Sequence, residues 1–254
     1  MKSVVRKMLP SSILDRYRRF KRFRGQARNR HKSTEEVFTE IYATNQWGGV
    51  SGEFSSGSGT RDKQIVAAYV EMIRQIAAKE HFSDLAFVDL GCGDFGVGQH
   101  LVPLCATYIG VDIVAPVVRQ NEQRYGNVTT RFIHLNMITD ELPDGDVCFV
   151  RQVLQHLSNQ QILSVLGKLG KYSRVFITEH YPTDNDAIQV NIDKVQGGDV
   201  RVYDNSGVYL TEHPFLLPPE AIQLLLEVPG AGMGENRDPG VIRTYLYKPS
   251  GHSS

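Results

Sequence analysis

Val88-Asp89-Leu90-Gly91-Cys92-Gly93-Asp94-Phe95-Gly96-Val97-Gly98, followed by Tyr108-Ile109-Gly110-Val111-Asp112, reads as a buried strand, a glycine turn, a helix and a second strand ending in an acid. Gly91, Gly93 and Gly96 fall at GxGxxG spacing, and Asp112 lies 21 residues beyond Gly91. Small turn residues let a ligand approach the backbone, and an acid at the second strand end can accept hydrogen bonds from ribose hydroxyls. The pattern predicts a nucleoside-containing cofactor without saying which one.

The wording Asp89-Leu90-Gly91-Cys92-Gly93 resembles the glycine-rich motif of class I S-adenosylmethionine-dependent methyltransferases, commonly (D/E)xGxGxG. The resemblance extends over about residues 84–175. It implies an α/β, Rossmann-like fold with a mostly parallel seven-stranded sheet, helices on both faces, and S-adenosyl-L-methionine as cofactor. It places Asp89, Gly91, Cys92, Gly93 and Gly96 beneath the cofactor and Asp112 at its ribose. Ile113 would wall the adenine and Asn136 with Met137 would contact it. Asn136 stands where the family usually has an acid, and its side chain also suits an Asx turn.

Around this unit the hydrophobic pattern continues to alternate. Ser33-Thr34-Glu35-Glu36 starts a helix through Ile41 by capping exposed amides. Residues 45–60, rich in Gly and Ser with Trp47 and Phe54, form a linker or a lid over the cofactor. A helix spans 61–80, and strands are expected near Leu85–Leu90, Arg131–Leu135, Val147–Val150, Val175–Thr178 and Val241–Tyr247, with a helix near 159–169. Such alternation favours a parallel sheet covered on both faces. Residues 182–217 read as a substrate-facing insertion with a short strand at Val200–Tyr203. Pro218-Pro219-Glu220 starts a helix continued by Ala221–Leu226. Gly230–Gly234 reads as a connection between late strands or a second ligand loop.

Composition bounds the class. At 254 residues, 41% hydrophobic and 22% charged, the chain can bury a full α/β core. No apolar run reaches the length of a membrane span. Cys92, Cys105 and Cys148 form neither a disulfide framework nor a zinc pattern, so a reducing cytoplasm is expected. The zero net charge hides an asymmetry: residues 1–32 hold 12 Lys or Arg against one Asp, and the remainder carries the compensating −11. This basic arm, with scattered apolar residues, suits an anionic membrane surface or an acidic partner; a flexible or docked arm is the alternative. Residues 33–60 then form a leader and 61–250 the main domain.

Chemistry is sought at the strand exits. Arg151 and Gln152, after the fourth strand, are placed to hold a polar substrate or the cofactor carboxylate. His156 is either a base or structural. Glu179 and His180, expected just past the fifth strand, and His213, beside Glu212, are the other proton acceptors considered. Glu179, Asp184 and Asp186 have no diagnostic metal spacing, and a metal-independent site is expected. Confinement of the basic excess to the N-terminus and the absence of an NPPY-type signature argue against nucleic acid as acceptor. The reading is O-methylation of a polar small molecule or bacterial glycan. Its alternatives are N-methylation of a small molecule or protein, or a noncatalytic binding module of the same fold.

Overall fold

The computed structural model describes residues 20, 22–49, 53–183, 187–230 and 240–250. Most of the basic arm, the Gly230–Gly234 segment after Gly230, and Asp184 and Asp186 lie outside the described residues.

Val88 and Leu90 on one side and Phe87 on the other are fully buried, which is what a central parallel strand requires. That strand, β1 (Ala86–Leu90), pairs in parallel with β2 (Thr107–Asp112) and β4 (Val147–Arg151). β3 (Thr130–His134) extends the sheet beyond β2, and β5 (Arg174–Tyr181) lies beside β4. β7 (Val241–Tyr247) enters antiparallel to β5, and β6 (Ile222–Pro229) closes the edge. The seven-stranded order is β3-β2-β1-β4-β5-β7-β6. Because strand order reverses between β1 and β4, a crevice opens at the carboxyl ends of these two strands.

Two apolar cores cover the faces. On one, α1 (Thr34–Ala43) buries Val37, Phe38, Ile41 and Tyr42, and α4 (Asn159–Leu166) buries Ile162 and Val165. On the other, α2 (Lys63–Lys79) buries Tyr69, Val70 and Ile73 against Phe87, Phe149 and Phe176. Between β2 and β3 runs α3 (Ala115–Tyr125). Helix starts follow capping chemistry: Ser33 and Ser158 each form a capping box, and Asp62 accepts from Gln64 and Ile65.

Four local expectations need correction. The helix expected after the glycine turn is two 3-10 turns, Gly98–His100 and Val102–Leu104; Pro103 has no N–H to donate to the Gln99 carbonyl, so an α-helix cannot run through this stretch without losing that bond. The helix expected over Ala221–Leu226 is β6, preceded by a 3-10 turn at Pro219–Ala221. Its residues face both ways, with Ile222 against one core and Leu225 and Leu226 against the other, and pairing supplies partners for the free edge of β7. The short strand expected at Val200–Tyr203 is a 3-10 turn, Arg201–Asp204, where the Arg201 guanidinium is buried on the Ile192 and Leu157 carbonyls. Finally, β5 continues past Thr178, so Glu179 and His180 lie inside the strand, held by the antiparallel ladder to Arg243 and Ile242.

Candidate active site

A single cavity extends under α1 from the glycine turn to the ends of β2, β3 and β4. Asp89, Gly91, Cys92, Gly93, Asp112, Ile113, Asn136, Met137, Arg151 and His156, all expected from sequence, line it.

The glycine turn is shaped for close approach. Gly91 and Gly93 have φ of 77° and 55°, in the left-handed region. A Cβ on Gly91 would come within 2.5 Å of Val153, and one on Gly93 within 2.2 Å of the Ser56 hydroxyl. Gly96 behaves differently: it does not line the cavity, and its amide donates to Asp94 Oδ1 at 3.1 Å. The close approach in this half of the turn falls instead at Gly98, where a Cβ would lie 2.3 Å from the Tyr108 hydroxyl.

Asp112 closes β2 with its carboxylate against the turn. One oxygen accepts from the Gly93 amide at 3.0 Å and the other from Val114 at 2.9 Å. Its remaining lone pairs are oriented by these bonds, and burial raises its pKa against their pull. Asp89 accepts from the Tyr108 hydroxyl, and burial raises its carboxyl to about 6. Arg151 extends from the end of β4, donates to the Gly59 carbonyl at 2.8 Å and lies 5.1 Å from the Tyr69 ring centre. Its Nε is buried without a partner among the described residues. At the opposite end, Asn136 uses its side-chain oxygen to accept from Ile138 at 3.0 Å, the Asx turn. Met137 and Ile113 supply apolar wall beside it.

The roof was only partly legible. Ser56 and Asp94 bond reciprocally, Ser56 N–H to Asp94 Oδ2 at 2.9 Å and Asp94 N–H to Ser56 Oγ at 2.8 Å. Tyr42 reaches the same Ser56 hydroxyl at 2.9 Å. Phe38, Tyr42 and Trp47 cover the cavity as an aromatic wall, with the Trp47 indole donating to the Gly198 carbonyl at 3.1 Å. No local motif announces these contacts, because each joins residues 38 or more positions apart or depends on helix orientation. Gln152 also lines the cavity and carries an uncommon left-handed φ of 56°.

The four proton-acceptor candidates are scattered. His156 lines the cavity, packed 5.1 Å from Trp47, with Nδ1 at 3.2 Å from the Gly197 carbonyl. Burial, with Lys194 adding repulsion, lowers its pKa to about 3. Glu179 is fully buried and does not line the cavity. Its oxygens accept the Val153, Leu154 and Gln155 amides at 2.8–3.1 Å, holding the 3-10 turn Leu154–His156, and burial raises it to about 8 against those bonds. His180 is buried beside Gly240, and His213 is exposed; neither lines the cavity. No described residue of 182–217 lines it either; that segment braces the roof through Gln196 to Thr34 and Gly198 to Trp47. No cluster of His, Cys, Asp and Glu with metal-binding arrangement occurs among the described residues.

Residues 88–168, which carry the glycine turn, Asp112 and the β4 exit, match a family described as a methyltransferase domain. The matched segment spans about a third of the chain and is similar to methyltransferase domains. An uncharacterized methyltransferase of Mycobacterium bovis is 32% identical over 85 residues, 33% of this chain and 42% of that protein's length. Two solved methyltransferases share the fold at low identity. NodS, an N-methyltransferase from Bradyrhizobium japonicum WM9 in complex with S-adenosyl-L-homocysteine, has a TM-score of 0.57 at 10% identity. It covers 86% of this chain and 100% of its own. Magnesium protoporphyrin IX methyltransferase from Synechocystis PCC 6803, with the same compound bound, has a TM-score of 0.54 at 14% identity and the same coverages. In this fold, the crevice at the β1/β4 reversal is where the residues expected to hold the cofactor converge.

Proposed function

We propose that the chain is an S-adenosyl-L-methionine-dependent methyltransferase acting on a small polar amine. The observation that carries the cofactor assignment is the buried, unpartnered Arg151 Nε on the wall of a cavity floored by Gly91 and Gly93. Arg151 would bind the methionine carboxylate, Asp112 the ribose hydroxyls, and Ile113 with Met137 the adenine faces. Asn136 keeps its oxygen in the Asx turn and offers its amide nitrogen at the adenine edge. When bound, the cofactor supplies a methyl group activated by a sulfonium leaving group.

The protein's own task is then to align the acceptor and exclude water. The Ser56–Asp94 pair and the Arg151 bond to Gly59 hold residues 56–59 over the glycine turn as a lid. Phe38, Tyr42 and Trp47 keep the roof apolar.

The placement of basic groups favours nitrogen over the oxygen acceptor expected from sequence. A hydroxyl acceptor needs a base during transfer, whereas a neutral amine attacks with its lone pair and loses its proton afterwards. Glu179 is committed to three amides, His180 and His213 lie off the cavity, and His156 is a weak base at a pKa of about 3. The test is to incubate purified protein and labelled cofactor with matched amino and hydroxyl forms of small sugars and alcohols, identifying products by mass spectrometry. Label on nitrogen supports the reading; label confined to hydroxyl oxygen overturns it.

A further inference from the structure

Phe20 and Phe23 are 57% and 72% exposed on a helical segment that includes residues 22–29. The two faces of this segment differ. Toward the protein body, Arg22 donates to Asp204 at 3.0 Å and lies 5.3 Å from the Tyr203 ring centre, while Asn29 donates to the Gln196 carbonyl at 3.1 Å. Away from it, Phe20, Phe23, Arg24, Ala27 and Arg28 are exposed at the three- and four-residue spacing that defines one helix face. Arg24 lies 5.8 Å from the Phe20 ring centre, and Arg28 reaches Glu40 at 3.1 Å while remaining 53% exposed.

We infer that this outward helix face docks on an anionic lipid bilayer. Two exposed aromatic rings one turn apart on a helix suit insertion into the headgroup boundary, where Arg side chains beside them meet lipid phosphates. The charge is complementary: residues 1–32 carry 12 Lys or Arg against one Asp. Arg22 is excluded from the lipid contact because Asp204 and Tyr203 engage it; it fixes the helix to the body. Arg28 is likewise held by Glu40, so the lipid-facing set is Phe20, Phe23 and Arg24.

The experiment is co-sedimentation of the full chain with phosphatidylcholine vesicles, with and without phosphatidylglycerol. Binding should require phosphatidylglycerol and weaken with added salt. Phe20→Ser combined with Phe23→Ser should lower partitioning roughly tenfold or more. Val128→Ser, at an exposed apolar position before β3, should leave partitioning unchanged. S-adenosylhomocysteine affinity should be the same in all variants, which verifies folding and separates this proposal from the methyl-transfer reading. Equal binding to both vesicle types would overturn the inference, as would a double variant that binds like the parent. So would binding of single-stranded RNA without binding of vesicles.

Discussion

His156 makes acid stability a measurable consequence of the site's geometry. Its ring is enclosed by Phe38 and Trp47, and burial lowers its pKa from an ordinary 6.5 to about 3. The folded protein therefore keeps His156 neutral while the unfolded chain takes up a proton as pH falls through 6.5. Stability from this residue is present above that value and is lost progressively down to about 3. From 6.5 to pH 5 is about 1.5 pH units, and each is worth about 1.4 kcal/mol, giving a loss of about 2 kcal/mol on going from pH 7 to pH 5. Glu179 acts in the opposite direction: raised to about 8, it favours the folded state at acidic pH and loses that contribution as pH rises. The parent curve alone would mix the two. Urea unfolding of the parent and of His156→Gln at pH 7 and pH 5 isolates the histidine. The parent should lose about 2 kcal/mol more than the variant over this interval. Equal pH dependence in both proteins would refute the account of a neutral, enclosed imidazole.

Two further outcomes follow from the site. Asp112→Ala should weaken S-adenosylhomocysteine binding by roughly 1–3 kcal/mol, read by calorimetry on folded variant, since the ribose loses a charged acceptor; an unchanged dissociation constant would contradict the assignment. Glu179→Gln should lower unfolding free energy by about 1–3 kcal/mol, because one amide oxygen replaces the two carboxyl oxygens that serve three N–H groups. Its cofactor affinity should stay near the parent's, and loss of turnover with full stability would instead return Glu179 to the chemistry.

What the sequence exposed were features whose cause is local. The Val88–Gly98 turn, Asp112 at a strand end and the Ser33 cap all follow from short-range backbone and side-chain needs. β6 was hidden because Ile222–Leu226 carries no clean period and follows a proline pair suited to a helix start; only pairing with β7 decides its conformation. Glu179 illustrates the same limit at the site. A carboxylate after a hydrophobic strand looks like a pocket-edge base, yet its environment depends on three amides from residues 153–155. The reciprocal Ser56–Asp94 pair, 38 residues apart, was likewise set by tertiary packing.

The most direct test is calorimetric titration of the purified full chain with S-adenosylhomocysteine and, separately, with NAD. The glycine turn, Asp112 and the unpartnered Arg151 Nε predict saturable one-to-one binding of S-adenosylhomocysteine and none of NAD. Binding of NAD alone would contradict the central claim.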